Sequence, residues 1–437
     1  MNYSPAKTLI LFFLSLICIG TILLSIPISL NKSQEFSILA NLFTAVSAVC
    51  VTGLSVVSIG SYYTLFGQSV IIVLMEAGAL GYMFVSTVAA LLLGRMALKD
   101  RRIMQELFDI TSFKDLKKLL IKAIFFVLAV EGVGVFILTL LYMRHFSFFK
   151  ALYFGIFSAV SAFCNSGFFP FEDSLTSFDI YPSILAVFTV LIIVGGLGFF
   201  VMVDIYDTYK EKRLHLSLHT KVVFSATIVI LFVSFLFFFV FADWSFLGGS
   251  NLMQTISNSI FMSASARTAG FNTIDMGTVS PFLKFFIIIV MAIGAAPASA
   301  AGGLKITTLV IVIAFIRSFV KSEDEVVLFK KRIPDDIVKK ASVIFILFVL
   351  LLAMFAAVLI LFEPDKKPID LLFETVSAFA TCGLSVNLTN TISPQGQVTL
   401  IFAMITGRIG ILTLLLSIVN TKKRNTIRYP EDKILVG

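Results

Sequence analysis

A short segment built around one glycine occurs four times in this chain, and the repetition constrains the fold more than any other feature. The glycines are Gly53, Gly167, Gly270 and Gly383, so successive copies lie 114, 103 and 113 residues apart. Each copy ends a short apolar run that contains small residues. One such loop alone is typical of a simple turn. Four copies at matching offsets instead predict a four-sided object, a pore lined by main-chain carbonyls.

Composition places the repeated segment in a membrane. Of the 437 residues, 58% are hydrophobic and only 14% are charged, whereas a soluble domain has about 25% charged residues. We therefore expect an all-α integral membrane protein. The four cysteines form no C-x-x-C pair, so the sequence predicts neither a zinc site nor a thioredoxin-like motif.

Each copy has the same surroundings: a long apolar run, a short one, the glycine loop and a second long run. The short runs cannot cross a bilayer and predict half-helices at 36–50, 149–164, 252–266 and 369–380. The long runs predict eight spans, at 8–26, 65–93, 119–143, 181–203, 219–242, 279–320, 337–362 and 396–419. The predicted architecture is four fused membrane–pore helix–membrane repeats around one central pore. The repeats are 1–94, 95–212, 213–325 and 326–437, which together form one transmembrane pore domain.

Lysine and arginine are distributed unevenly between the two predicted sides. The chain ends and the segments joining repeats carry 25 of the 34 Lys and Arg, and the loops beside the half-helices carry six. Positive residues concentrate on the cytoplasmic side, so we expect both termini in the cytoplasm and the glycine loops accessible from outside. The outer loops also carry nine acidic residues, which predict a mouth that attracts cations. Ordinary solvated charge is the alternative for each of them.

The glycine loops have the chemistry that a cation needs to cross lipid. Carbonyl oxygens can replace the water shell of the ion when several extended strands face one axis, and glycine permits the backbone dihedrals that this requires. The half-helix before each loop directs its negative C-terminal end at the pore centre. The predicted filter comprises Val51, Thr52, Gly53, Leu54, Asn165, Ser166, Gly167, Phe168, Thr268, Ala269, Gly270, Phe271, Thr381, Cys382, Gly383 and Leu384.

The last span of the third repeat is interrupted by small residues. A proline and three glycines within ten residues break a helix at membrane depth. We interpret the break as a mobile gate below the filter, and the alternative is a tight packing kink. The predicted gate comprises Gly294, Ala295, Ala296, Pro297, Ala298, Ser299, Ala300, Ala301, Gly302 and Gly303, with Lys305 and Arg408 beside it.

Several charged residues lie within apolar runs, where an unpaired charge is costly. Lys305 either anchors the interrupted segment or snorkels to the cytoplasmic surface. Arg267 precedes the third glycine loop, and we expect it to face away from the pore, toward Glu374 or Asp275. For Glu76 and Glu131 we expect hydrogen bonds between spans in preference to ion coordination.

The four glycine loops, the segment 294–305 and Gly-Arg-Ile-Gly at 407–410 resemble the Trk/Ktr/HKT superfamily of potassium transporters. The resemblance covers nearly the whole chain and is greatest to the membrane subunits of bacterial Ktr systems. It implies potassium bound at the filter carbonyls, a bacterial plasma membrane location, and closure of the pore by 294–303 with the charge of Arg408 opposing ion passage. Members with serine at the first filter glycine favour sodium. Glycine at all four positions resembles the potassium-selective members.

The resemblance further implies a homodimer, activation by sodium and a cytoplasmic nucleotide-binding ring as regulatory partner, with the tail 427–437 in the dimer contact. The chain itself lacks a phosphate-binding glycine motif, so we expect it to bind no nucleotide, and nothing predicts a nucleic-acid partner. One alternative function is a sodium- or proton-coupled potassium symporter, because such transporters also use broken spans. A membrane sensor or intramembrane enzyme would need a reactive constellation of side chains, which the sequence lacks, and we expect no enzymatic activity.

Overall fold

The computed structural model of the protein is a bundle of helices and describes residues 5–32, 34–92, 113–171, 174–212, 215–241 and 251–410. Its longer helices are apolar, and the architecture is that of an all-α membrane protein. The basic stretch 95–102, the end of the last predicted span and the tail 427–437 lie outside the described residues.

Four long apolar helices recur along the chain, and each is long enough to cross a bilayer core of about 30 Å. They are Pro5–Ser25, Phe113–Tyr142, Leu218–Phe241 and Asp335–Phe362. Large apolar side chains such as Phe125 and Val229 are exposed on them, as expected of helices that face lipid. Within the described ranges these are the four single helices that are both long and apolar enough to span a membrane.

A shorter and more buried helix follows each long one, and we call these the pore helices. They are Ile38–Val49, Phe148–Cys164, Leu252–Thr268 and Pro368–Phe379. Their positions match the predicted half-helices to within a few residues. The side chains of Ser37 and Asn251 cap two of them by accepting hydrogen bonds from main-chain N–H groups of the first turn.

The segment after each glycine loop is a helix that is broken or ends at a glycine. These segments are Leu65–Leu92, Pro182–Leu197 with Phe199–Lys210, Pro281–Ala292 with Ile306–Val320, and Pro394–Ile409. Gly81 and Gly198 have φ of 66° and 85°, and the chain bends by 92° at the second. Gly410 ends the last segment with φ of 91°. The sequence analysis predicted the break in the third segment only. The first and second segments are also broken, at Gly81 and Gly198, because glycine with positive φ does not continue a right-handed helix.

Short elements complete the described chain: the helix Ile59–Tyr62, the 3₁₀ turns Pro27–Ser29, Thr176–Phe178 and Thr389–Thr391, and an antiparallel hairpin of Val327–Leu328 with Lys331–Arg332. The core is centred on the pore helices. Phe43, Phe157 and Phe373 are fully buried ten residues before their glycines, whereas in the third copy Phe261 is buried and Ile260 is exposed. The buried face of the third pore helix is therefore shifted by one residue toward its glycine.

Candidate functional site

The four glycines of the repeated segments converge to form a closed ring. A Cβ placed on Gly53 would lie 2.1 Å from the carbonyl oxygen of Ser166, and one on Gly167 would lie 2.6 Å from that of Ala269. The ring continues in the same sense, because a Cβ on Gly270 would lie 2.3 Å from the Cys382 oxygen. A Cβ on Gly383 would lie 2.1 Å from the Thr52 oxygen and closes the circle. Each position therefore lies against the main chain of the next copy, and no side chain fits at any of them.

The backbone of the predicted filter segments is similar in three copies and different in the third. The glycines have φ between 72° and 97°. Two residues earlier, Val51, Asn165 and Thr381 also have positive φ, of 56°, 58° and 51°, an uncommon conformation for residues with a side chain. The equivalent Thr268 is still part of its pore helix. This difference agrees with the shift of one residue in the third pore helix.

A serine in each pore helix holds the filter segment through its main chain. Thr52 N, Ser166 N and Cys382 N donate to the carbonyl oxygens of the serines at 2.8, 2.9 and 2.8 Å, and Gly270 N does so at 3.2 Å. The serines are Ser47, Ser161, Ser265 and Ser377. The constant offset of five or six residues between these serines and the glycines is the sequence signal that could have revealed this role.

Serine hydroxyls also fix the residue that follows the glycine. The hydroxyl of Ser161 donates to Phe168 O at 2.6 Å, and that of Ser265 donates to Phe271 O. In the fourth copy the hydroxyl of Ser377 accepts a hydrogen bond from Gly383 N at 3.0 Å. The oxygens that lie against the ring glycines are those of the residues before the glycines, Thr52, Ser166, Ala269 and Cys382.

All four glycines line a single cavity of about 370 Å³. Its other polar lining groups are hydroxyl and amide side chains, including Ser55, Asn272, Asn387 and Thr389. Among the described residues that line the cavity none is acidic. The four segments therefore share one opening, as the repeated pattern predicts.

A buried carboxylate fixes the chain that leaves the fourth filter segment. Glu374 is fully buried in its pore helix and accepts hydrogen bonds from the Ser385 hydroxyl at 2.5 Å, from Val386 N at 2.9 Å and from the Thr389 hydroxyl at 2.8 Å. Ser385 and Thr389 line the cavity above the ring. Glu374 thus holds one wall of that cavity in place.

The predicted gate forms an ordered loop packed beneath the ring. Gly294 N donates to Leu304 O at 2.8 Å, which closes the base of the loop. Ala296 N donates to Gly196 O at 3.1 Å, and Phe199 N donates to Ala298 O at 3.0 Å, so the loop is joined to the bend of the second repeat. A Cβ on Gly302 would lie 2.1 Å from Thr381 Oγ1. The loop therefore touches the fourth filter segment directly.

Arg408 connects this loop to another broken helix. Its guanidinium donates to the carbonyl oxygens of Ala300 and, at 2.6 and 3.2 Å, of Gly78 and Ala79. Gly78 and Ala79 precede the break at Gly81. The carbonyls of a continuous helix would be occupied, so a planar guanidinium suits the broken ends. Lys305 anchors the loop from within, because its ammonium donates to Ala301 O at 2.7 Å.

Arg267 is not hydrogen-bonded to Glu374 or Asp275, the two partners that the sequence suggested. Its side chain is 3% exposed, and its guanidinium lies beside Gly196, since a Cβ there would be 2.8 Å from Nη2. The two expected partners bond elsewhere: Glu374 as described above, and Asp275 with Asn387 at 2.7 Å. Nε and Nη1 of Arg267 have no hydrogen-bond partner among the described residues.

Several outer acids are paired with bases. Asp370 forms an ion pair with Lys284 at 2.8 Å, and Glu363 forms one with Lys366 at 3.2 Å. Paired charges attract free ions less than isolated ones. The predicted excess of negative charge at the mouth is thus reduced for the described residues, while Glu172, Asp173 and Asp243 lie outside them.

Comparison with known proteins identifies the family. The model of the TrkH family, described as a cation transport protein, matches residues 4–427. The chain belongs to the TrkH family of cation transport proteins. Among its TrkH-family relatives, the Ktr system potassium uptake protein B of Bacillus subtilis is 33% identical over 442 residues, which cover 100% of this chain and 98% of that protein. The protein of the same description from Vibrio alginolyticus is also 33% identical, over 99% of this chain and 94% of its own length.

A third relative and a solved structure are also similar to this chain. The potassium/sodium uptake protein NtpJ of Enterococcus hirae is 32% identical over 99% of this chain and 97% of its own length. The crystal structure of the potassium transporter TrkH from Vibrio parahaemolyticus superimposes with a TM-score of 0.73 at 16% identity, covering 96% of this chain and 85% of that one. At that identity the likeness shows a shared fold.

Proposed function

We propose that this TrkH-family chain is the ion-translocating subunit of a Ktr-type potassium uptake system. Potassium passes through a filter formed by the four glycine-centred segments. The observation that carries the proposal is the closed ring of glycines at the base of one cavity. The full-length relatives described as potassium uptake proteins support potassium as the ion.

The ring supplies oxygen ligands without adding net charge. Carbonyl oxygens take the place of the water shell that the ion loses. The carbonyl oxygens of Thr52, Ser166, Ala269 and Cys382 each lie against the glycine of a neighbouring copy, and we assign these four as the ligands that face the axis. The C-terminal ends of the four pore helices surround this point, and their partial negative charge stabilises a cation there. Glycine at all four positions supports selectivity for potassium over sodium.

The loop 294–303 acts as the gate of this pore. It lies against Thr381 and is fixed by Arg408 and by the bend at Gly198. A guanidinium beside the pathway opposes a potassium ion while the loop is in place. When the loop moves, the contacts with Ala300 and Ala301 are lost together. Arg408 and Lys305 are therefore positioning residues of the closed state.

The chain works in the bacterial plasma membrane with both termini in the cytoplasm. This orientation rests on the distribution of lysine and arginine. A potential of 100 mV, negative inside, favours entry of one cation by about 2.3 kcal/mol. The division into repeats at 1–94, 95–212, 213–325 and 326–437 follows the recurrence of long helix, pore helix, glycine turn and broken helix.

We assign the opening and closing of the gate to other subunits and to sodium. A homodimer and a cytoplasmic nucleotide-binding ring would supply the force that moves the loop, and sodium would activate the system. The relatives named as members of Ktr systems support partner subunits, and the relative described as a potassium/sodium uptake protein supports a role for sodium.

A sodium- or proton-coupled symporter is the second candidate. The breaks at Gly81, Gly198 and 293–305 favour it, because coupled transporters bind their ions at discontinuous helices. A filter with four continuous walls favours passive flux instead, because ions entering it need no alternating access.

Flux measurement separates the two functions. The purified chain is reconstituted in liposomes with its regulatory partner, the potential is clamped negative inside, and rubidium tracer uptake is recorded without sodium or pH gradients. Passive conduction predicts uptake driven by the potential alone and blocked in Gly383→Val, because that side chain would meet Thr52 O. Uptake that requires a sodium or proton gradient would contradict passive conduction and support the symporter.

A further inference from the structure

Three potential metal ligands from three different helices meet beside the gate. They are Glu76 of Leu65–Leu92, Glu131 of Phe113–Tyr142 and Cys164, the last residue of the second pore helix. One ligand atom from each lies within 4.8 Å of the other two. The Cys164 thiol donates to Glu76 Oε2 with an S···O distance of 3.3 Å. The expected hydrogen bonding between spans is therefore present, but it involves a third group.

One oxygen in this cluster lacks a partner. Glu131 is 7% exposed, and its Oε1 has no hydrogen-bond partner among the described residues. A buried carboxylate oxygen at membrane depth is costly unless a proton donor or a cation accompanies it. This oxygen belongs to the carboxylate group that lies beside Glu76 and Cys164. The missing hydrogen-bond donor or cation is therefore missing at the cluster itself.

We propose that Glu76, Glu131 and Cys164 bind one divalent metal ion of the thiolate-accepting class represented by Zn²⁺ and Cd²⁺. In tetrahedral zinc sites the Zn–S and Zn–O distances are about 2.3 and 2.1 Å, which places sulfur and oxygen roughly 3.6 Å apart. The observed 3.3 Å needs only a small adjustment. A sulfur ligand disfavours Ca²⁺ and Mg²⁺, which take oxygen ligands.

The charges around the cluster suit a divalent ion. A metal-bound thiol is deprotonated, and metal binding also displaces the proton that the two neighbouring carboxyl groups of Glu76 and Glu131 share. Both protons are released to the solvent, and the three ligands together then carry three negative charges. The metal supplies two positive charges. The Arg408 guanidinium, which bonds Gly78 O and Ala79 O in the helix that carries Glu76, supplies the third. The buried group is then neutral as a whole.

The site is connected to the gate through two neighbouring carbonyls. Gly78 and Ala79, which follow Glu76 in the same helix, accept hydrogen bonds from Arg408, and Arg408 also bonds Ala300 of the gate loop. A metal ion joining Glu76, Glu131 and Cys164 would hold this helix in its present position. This consequence rests on the proposed function: bound metal lowers potassium flux by stabilising the closed gate.

Cadmium binding tests the site independently of transport. The purified full-length protein in nanodiscs is titrated with Cd²⁺ while the ultraviolet thiolate-to-cadmium absorption is recorded. We expect one Cd²⁺ per chain, loss of the absorption in Cys164→Ser and, in the size-matched Glu131→Gln, an apparent Kd raised about tenfold or more. Cys50→Ser is the matched control, because Cys50 also lies three residues before a filter glycine, and it should keep the absorption.

Three results would overturn the site: failure of the wild-type protein to bind Cd²⁺, the same absorption in Cys164→Ser, or an unchanged affinity in Glu131→Gln. The last variant decides the matter if Cys164→Ser fails to fold. In liposomes that also contain the regulatory partner, Cd²⁺ should reduce rubidium uptake by the wild type and leave that of Cys164→Ser unchanged. Binding of Cd²⁺ without an effect on flux would overturn the connection to the gate, and a protein that binds Cd²⁺ without any rubidium flux would contradict the proposed function alone.

Discussion

Replacing Gly53 with serine is expected to lower the preference for potassium over sodium by about tenfold or more, which corresponds to about 1.4 kcal/mol or more. Gly53 has φ of 88°, and a side chain at this position would lie 2.1 Å from Ser166 O. The left-handed conformation alone costs a non-glycine residue about 1–2 kcal/mol. We expect the serine variant to relieve the contact by moving its strand away from Ser166, which widens the ring and loosens its fit to potassium. Competition of sodium with rubidium uptake in liposomes measures the change.

The matched control for Gly53 is Gly132→Ala in the long helix Phe113–Tyr142. A Cβ at Gly132 meets no atom within 4 Å, so this variant should keep the selectivity of the wild type. Folding of both variants is checked by size-exclusion chromatography of the reconstituted protein. A Gly53→Ser protein that folds and selects potassium as well as the wild type would contradict the assignment of the glycine ring as the selectivity filter.

Replacing Arg408 with glutamine is expected to raise flux in the absence of the regulatory partner by about tenfold or more. The guanidinium bonds three carbonyls, of Gly78, Ala79 and Ala300. Hydrogen bonds that involve a charged group contribute about 1.5–3 kcal/mol each, and each 1.4 kcal/mol lost changes the equilibrium between closed and open loop about tenfold. Rubidium uptake by liposomes that contain only this chain measures the basal flux.

Two further variants separate the geometry of Arg408 from its charge. Arg408→Lys keeps the charge but cannot bond the same carbonyls with a planar fork, so we expect an intermediate flux. Lys339→Gln removes a positive charge from an exposed position and should leave the basal flux low. If Arg408→Gln stays as dependent on the partner as the wild type, the closing contacts lie elsewhere in the molecule.

The ring of glycines could be predicted from the sequence because its signal is local and repeated. The same short pattern precedes Gly53, Gly167, Gly270 and Gly383, and only glycine meets the dihedral and steric demands at these points. The pore helices were predictable for the same reason, since each is a short apolar run that cannot span a bilayer. Apolar length also predicted the four long helices.

The contacts of polar side chains could not be predicted in this way. Arg267 was assigned to Glu374 or Asp275, but Glu374 binds the loop after its own filter segment, and that choice depends on how residues far apart in sequence meet. The breaks at Gly81 and Gly198 were missed because isolated glycines are common in membrane helices. The cluster of Glu76, Glu131 and Cys164 was missed because its ligands have no characteristic spacing.

The position of the ion tests the central claim most directly. Crystals of the protein grown with Rb⁺ in place of K⁺, measured at the rubidium absorption edge, would show where the ion binds. We expect an anomalous peak on the axis of the ring, surrounded by the carbonyl oxygens of Thr52, Ser166, Ala269 and Cys382. A ring with those oxygens turned away from the axis and no rubidium between them would contradict it.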